Sequence, residues 1–179
     1  IAEVHHCGKK ISLRCGDGLS VLSPGEVDTI AICGMGGQLM IEILQAGDDV
    51  LRKTKRLILQ PQKHIHLLRL WLEENHWRIV AESLVESKGF FYAVLAAEPG
   101  EMRLRPLEAE FGPLLIRQRS AAFLAWLERE RIEREELCLS LQKQETAAAV
   151  ARCRELQEEL CRLRSLINGE EFYEPESLI

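Results

Sequence analysis

No run of the 179 residues stays apolar over the roughly 18 positions that a membrane-spanning helix requires, so an integral membrane protein is not expected. No C-x-x-C pair occurs among the six cysteines (Cys7, Cys15, Cys33, Cys138, Cys153, Cys161). Their scatter argues against a zinc site or a disulfide framework and points to reduced thiols in a cytoplasmic protein. The histidines, His5-His6, His64-x-His66 and His76, have no acidic partners at metal-ligand spacing, and no metal site is expected. Neither G-x-S-x-G nor a Ser/His/Asp order is present, which excludes the common hydrolase patterns. What the chain does contain is 46% hydrophobic and 28% charged residues, with 23 Lys+Arg against 28 Asp+Glu for a net charge of −5. That balance fits a soluble globular protein.

Two stretches differ in their physics. Residues 1–100 hold 11 Lys+Arg, 12 Asp+Glu, every histidine and most of the glycines. Residues 101–179 hold 12 Lys+Arg and 16 Glu, no Asp, and no Gly between Pro113 and Gly169. The change falls at the turn dipeptide Pro99-Gly100, taken as the domain boundary.

In the first stretch, short branched or apolar runs stop at turn residues. They are Lys10-Ile11-Ser12-Leu13-Arg14-Cys15 before Gly16-Asp17-Gly18, Val27 to Cys33 before Gly34-Met35-Gly36-Gly37, and Arg56 to Gln60 before Pro61. Between them, Leu39, Met40, Ile43 and Leu44, then Leu67, Leu68, Leu70, Trp71 and Leu72, recur at helical spacing. Alternating strand and helix predicts a parallel α/β sheet. Residues 77–86 and 90–97 around Ser87-Lys88-Gly89 predict a hairpin that adds one antiparallel strand. Trp71 and Trp77 are expected in the core. From about Phe111 the chain reads as helical, with Phe123, Leu127, Leu137 and Leu141 on one helix, a break over 142–146, and Leu156, Leu160, Leu163 and Ile167 on a second. An acidic tail, 170–179, follows a helix stop at Asn168-Gly169.

Ligands of open parallel sheets sit beyond the carboxyl ends of the strands. The first such end, Gly16-Asp17-Gly18-Leu19, offers a carboxylate beside two backbone N–H groups, a match for an adenine edge; a plain tight turn is the alternative. The second, Gly34-Met35-Gly36-Gly37, brings backbone close to a ligand or to a packed neighbour. It departs from G-x-G-x-x-G at Leu39 and lacks the downstream acidic ribose ligand, having Arg52-Lys53-Thr54-Lys55 instead. This argues against a nicotinamide-dependent oxidoreductase. The third, Gln60-Pro61-Gln62, carries two carboxamides able to donate and accept.

In their order, G-D-G-L (16–19), V-D-T-I-A-I-C-G-M-G-G (27–37), R-L-I-L-Q-P (56–61) and L-L-R-x-W-L-x-x-N-x-W (67–77) resemble the bacterial tRNA adenine-22 N1-methyltransferase, or TrmK-like, family. The resemblance implies a Rossmann-like class I methyltransferase domain, its latter portion over 1–100, followed by an α-helical coiled-coil domain over 101–179. It implies S-adenosylmethionine as cofactor and tRNA as partner; a cytoplasmic protein with neither membrane nor metal, and a monomer rather than an oligomer, is expected. Gly16, Asp17, Gly18 and Leu19 would hold the cofactor's adenine, with Cys33 and Gly34 further along it. Gly34, Met35 and Gly36 would lie by the methyl group and target base, and Gln60 and Pro61 would form the other wall. Gln62 stands where the family usually has Asn. The family's first glycine motif would fall before residue 1, so the chain is expected to be the latter part of an enzyme. A noncatalytic fragment whose helical hairpin recruits a protein is the alternative.

Overall fold

The computed structural model describes residues 11–144 and 146–170. His5, His6, Cys7 and the tail beyond Glu170 lie outside the described residues. The chain forms two compact units that are not divided at one point. One runs to Ala81 and resumes over Val94–Leu104; the other joins Glu82–Ala93 to the chain from Arg105 onward.

In the first unit the chain makes β1 (Thr29–Met35), α1 (Gly37–Ala46), the short α2 (Asp48–Leu51), β2 (Arg56–Pro61) and α3 (Ile65–Glu74). The long strand β3 (Trp77–Ser87) begins in this unit, and the long strand β4 (Phe90–Pro99) ends in it. The sheet order is β1-β2-β4-β3, with β1 parallel to β2 and β4 antiparallel to β2. The expected parallel pair with one antiparallel hairpin strand is therefore present. Strand residues alternate in burial: Ile30 and Ile32, Leu57 and Leu59 point into the core. Met40 and Leu44 of α1 and Leu68, Trp71 and Leu72 of α3 cover them, and Trp77 is buried as expected. Leu39, Leu67 and Leu70 are exposed, because a helix lying on a sheet buries only one stripe of its surface.

Residues 11–15 form no strand, contrary to the expectation for 10–15. Ile11 and Leu13 are exposed, and Arg14 turns back on the following loop, donating to the Val21 carbonyl at 2.7 Å and to the Glu26 carboxylate. With no neighbouring strand among the described residues to complete a ladder, these local bonds decide the backbone path.

The second unit contains α4 (Pro106–Phe111), α5 (Pro113–Gln118), α6 (Ala121–Gln142) and α7 (Ala147–Asn168). The Ser120 and Thr146 hydroxyls cap the two long helices by accepting from the Phe123 and Ala149 N–H groups, each at 3.2 Å. The expected break over 142–146 is the connection between them. The helices run antiparallel: Arg134 meets Glu159 in their middle, and Cys138 meets Cys153 nearer the turn. Phe123, Leu127, Leu163 and Leu166 pack with Leu107, Phe111 and Leu115, and the tip of the β-hairpin contributes Leu84 to this core. Leu137, expected on the buried face, is exposed, and its neighbour Cys138 is buried in its place.

Candidate active site

The carboxyl ends of β1 and β2 lie side by side, since the strands are parallel and pair from Thr29 with Arg56 to Met35 with Pro61. Between Cys33 and Met35 the register slips by one residue. Gly34 is the extra residue, at φ +79°, a conformation that L side chains rarely adopt. A bulge leaves a backbone donor without its ladder partner, and here the side chain of Gln60 supplies one: its Oε1 accepts from the Gly34 N–H at 2.9 Å.

Two further bonds fasten the loops after these strands. The Gln62 N–H donates to the Met35 carbonyl at 2.8 Å, and the Gly37 N–H to the Lys63 carbonyl at 2.7 Å. A Cβ at Gly37 would run into the His64 carbonyl, so this glycine serves close packing of backbone on backbone. A Cβ at Gly34 or Gly36 would meet nothing within 4 Å. The glycine-rich loop thus divides the two alternatives posed by its sequence: Gly37 packs, while Gly34 and Gly36 border open space. Cys33 and Met35 are exposed on either side of Gly34, Pro61 is buried, and helix α1 starts at this edge with no side chain capping it.

The segment Gly16-Asp17-Gly18-Leu19 is a turn closed by the Asp17 carbonyl, which accepts from the Ser20 N–H at 3.1 Å and the Ser20 hydroxyl at 2.6 Å. The turn rests on α1: Gly18 lies under Ile43, and the buried Leu19 fills the space beside Gly47. The Asp17 carboxylate is exposed and caps no helix. The Arg14–Glu26 pair braces the loop. Hydrogen bonds from Arg14 and from the Ser23 N–H hold the Glu26 carboxyl down at about 2. The expected residues therefore form two groups. Cys33, Gly34, Met35, Gly36, Gln60 and Pro61 are joined at the strand ends, and residues 16–19 sit farther along α1, roughly 9 Å on at 1.5 Å per residue between Gly37 and Ile43.

The basic residues Arg52, Lys53, Lys55 and Arg56 lie at the other end of β2. Arg52 pairs with Asp48, Lys55 with Asp28 at 3.0 Å, and Arg56 with Glu98. That amino-end edge also carries a cavity of about 410 Å³ lined by Leu44, Arg52, Trp71 and Trp77, away from the glycine loop. Lys63, His64 and His66 are the charged or titratable neighbours at the carboxyl edge. Burial, then the charges of His64 and Arg69, lower the pKa of His66. The carbonyls of Lys63 and His64 make the floor for Gly37, a packing role whose only sequence signal is the third glycine 26 residues upstream. Among the described residues no group of three or more His, Cys, Asp or Glu could hold a metal ion, and no helix is long and apolar enough to cross a membrane.

Comparison with known proteins gives this architecture its relatives. The tRNA (adenine(22)-N(1))-methyltransferase of Bacillus subtilis is 42% identical over 120 residues, covering 64% of this chain and 50% of that protein. The chain spans about half the length of the curated relatives it matches first. The crystal structure of the B. subtilis M1A22 tRNA methyltransferase TrmK superposes with a TM-score of 0.77 at 33% identity, over 87% of this chain and 70% of that one. The Streptococcus pneumoniae protein Sp1610, solved in complex with S-adenosyl-L-methionine, gives 0.76 at 32% identity over 89% and 70%. The Rossmann-like methyltransferase fold expected from the motifs is the fold of these neighbours. Across residues 2–165 the sequence matches the family described as TrmK: tRNA (adenine(22)-N(1))-methyltransferase, and the chain belongs to that family.

Proposed function

We propose that this chain contributes the target-base side of an S-adenosylmethionine-dependent methyltransferase acting on N1 of adenine 22 in tRNA, in the cytoplasm. The observation that carries the reading is the Gly34 bulge, held open by Gln60 at the joined ends of two parallel strands, in a chain of this family. Residues 1–100 would be the latter portion of the methyltransferase domain, and residues 101–179 a helical domain that helps grip tRNA.

The residues present fit a nucleoside-bearing cofactor. Asp17 carries an exposed carboxylate suited to an adenine amine, and Gly34 and Gly36 let a ligand approach the backbone. The cofactor, when bound, supplies an electrophilic methyl group. Adenine N1 is a neutral lone pair, so the protein's task is mainly to hold two reactants in line. N1 lies on the Watson–Crick edge, and the base must leave its pairing to be reached. The exposed Cys33-Gly34-Met35 edge gives such a base a wall with polar backbone and apolar flanks. Gln60 is best read as a positioning residue: its carbonyl is already engaged by Gly34, and through that bond it fixes the loop that faces the reactants.

The test is methyl incorporation from labelled S-adenosylmethionine into unmodified tRNA, with adenine 22 replaced by guanine as the control substrate. It is run with residues 1–179 and with the same chain extended by its upstream coding sequence. Incorporation that vanishes with the control tRNA supports the reading; a folded extended protein that methylates neither tRNA overturns it. Gln60→Ala should lower kcat at least tenfold with little change in melting temperature, since the freed Gly34 N–H is at the surface. Gln60→Glu, which keeps the acceptor, should recover part of the loss.

A further inference from the structure

Cys138 and Cys153 are far apart in a sequence without close cysteine spacing, yet the antiparallel pairing of α6 and α7 sets their sulfurs 2.6 Å apart. That is about half an ångström more than a disulfide bond of ~2.05 Å. Both side chains are buried, at 5% and 8% exposure, in a small cluster with Leu156 and Leu141. Cys15, Cys33 and Cys161 are exposed and unpaired. The Gln142 amide nitrogen stands 3.8 Å from each of the two sulfurs. One flank of the pair is open: a shallow cavity of about 320 Å³ at the hairpin turn is lined by Cys153 together with Gln142, Ala149 and Arg154.

We infer that Cys138 and Cys153 are a modification site, a dithiol that closes reversibly into an intramolecular disulfide by exchange with a low-molecular-weight disulfide. Cys153, the one of the two residues that lines the cavity, is the entry point. Its thiolate attacks one sulfur of the oxidant, forming a mixed disulfide and expelling the first small thiol. Cys138 then attacks the Cys153 sulfur, expelling the second. Two protein thiols are oxidised, the oxidant's S–S bond is reduced by the same two electrons, and the two protons leave on the small thiols. The contact with Cys153 and burial both raise the pKa of the Cys138 thiol. The bond would close a loop of about 15 residues around the turn between α6 and α7, restricting the unfolded chain and holding the turn end of the hairpin shut. The inference is independent of the methyltransferase reading, for it uses the helical unit alone.

The experiment treats the reduced chain of 179 residues with oxidised glutathione, blocks remaining thiols with an alkylating reagent, and maps every cysteine by peptide mass spectrometry without reduction. A linked Cys138–Cys153 peptide pair, reopened by dithiothreitol, is expected, while Cys15, Cys33 and Cys161 carry glutathione or the alkyl group. The oxidised protein should melt on the order of 10 °C higher than the reduced one. Cys138→Ala should lose that gain and leave Cys153 trapped as its glutathione adduct. If this variant does not fold, the mapping of the unaltered chain decides alone. Alkylated Cys138 and Cys153, stable glutathione adducts on both, or linkage of either to another cysteine would each overturn the inference.

Discussion

At the scale of single residues, the three glycines after β1 make separate demands. Gly37 has backbone on top of it, the His64 carbonyl and the Lys63 carbonyl oxygen, neither of which can swing away. Gly37→Ala should therefore cost about 2–3 kcal/mol of stability, as overpacking against a rigid neighbour does, read by urea unfolding. Gly36 has φ −72° and open space beyond it, so Gly36→Ala should leave stability within roughly 0.5 kcal/mol. If the glycine loop faces cofactor and base as proposed, the added methyl group would stand in their path, and KM for S-adenosylmethionine or tRNA should rise about tenfold while the fold persists. Unchanged kinetics in Gly36→Ala would remove the glycine loop from the site. The sequence shows that backbone comes close to something here. It cannot show that the neighbour of Gly37 is 26 positions away, since only the parallel register brings Lys63 and His64 alongside. Gln60 was legible as an amide at a strand end, but its bond to Gly34 depends on a bulge with no local signature.

At the scale of elements, period and punctuation carry most of the information. The runs ending at Pro61 and around Lys88-Gly89, the helices over Gly37–Ala46 and Ile65–Glu74, and the break between the two long helices follow from alternation, helical spacing and caps. The run over 10–15 has the same alternation, yet its described residues 11–15 form no strand, because a strand needs a partner edge that composition does not reveal. In the helical unit, charge decides what apolar spacing leaves open. Arg134, with 19% of its side chain exposed, reaches Glu110 of α4, Glu130 of α6 and Glu159 of α7. Burial pushes the Glu110 carboxyl up, against the pull of Arg134 and Arg162. A carboxyl that binds its proton more tightly in the fold favours the fold below its unfolded pKa, and that advantage fades as pH rises through its folded value. Without Arg134, Glu110, Glu130 and Glu159 lose the cation they share, while Arg152 still pairs with Glu159 and Arg162 still pulls on Glu110. Arg134→Ala should cost about 2 kcal/mol at pH 7.5, between the values for exposed and fully buried pairs. The deficit should shrink by pH 4.5, as Glu110, whose pKa burial raises, takes up a proton. Glu135 and Glu128 lose stabilisation on acidification in both proteins, their pKa values being lowered by Arg164 and Arg131 for the first and Arg131 for the second. Parallel urea titrations at the two pH values make the comparison; a deficit that ignores pH would mean that Arg134 acts by packing alone.

At the scale of the whole molecule, the net charge of −5 opposes a polyanionic partner, so any grip on tRNA must come from local cations. Sequence alone groups Arg52, Lys53, Lys55 and Arg56 with Lys63, since all lie within twelve positions. The sheet separates them. From Arg56 to Pro61 the strand advances about 17 Å at ~3.3 Å per residue, leaving the first four at the amino edge, where Arg52, Lys55 and Arg56 are occupied by carboxylates. Lys63 follows the carboxyl end, is exposed, and holds the glycine loop only through its backbone carbonyl, so its ammonium group is available to a phosphate. Lys63→Ala should weaken tRNA binding several-fold and reduce the slope of log K against log salt by about 1, the signature of one lost phosphate contact. Arg52→Ala and Lys55→Ala should leave both the affinity and the slope unchanged. Filter binding between roughly 50 and 200 mM salt distinguishes the cases. Should the amino-edge substitutions carry the loss and Lys63→Ala none, tRNA would be approaching the opposite edge of the sheet. The reacting base would then not lie beside Gly34.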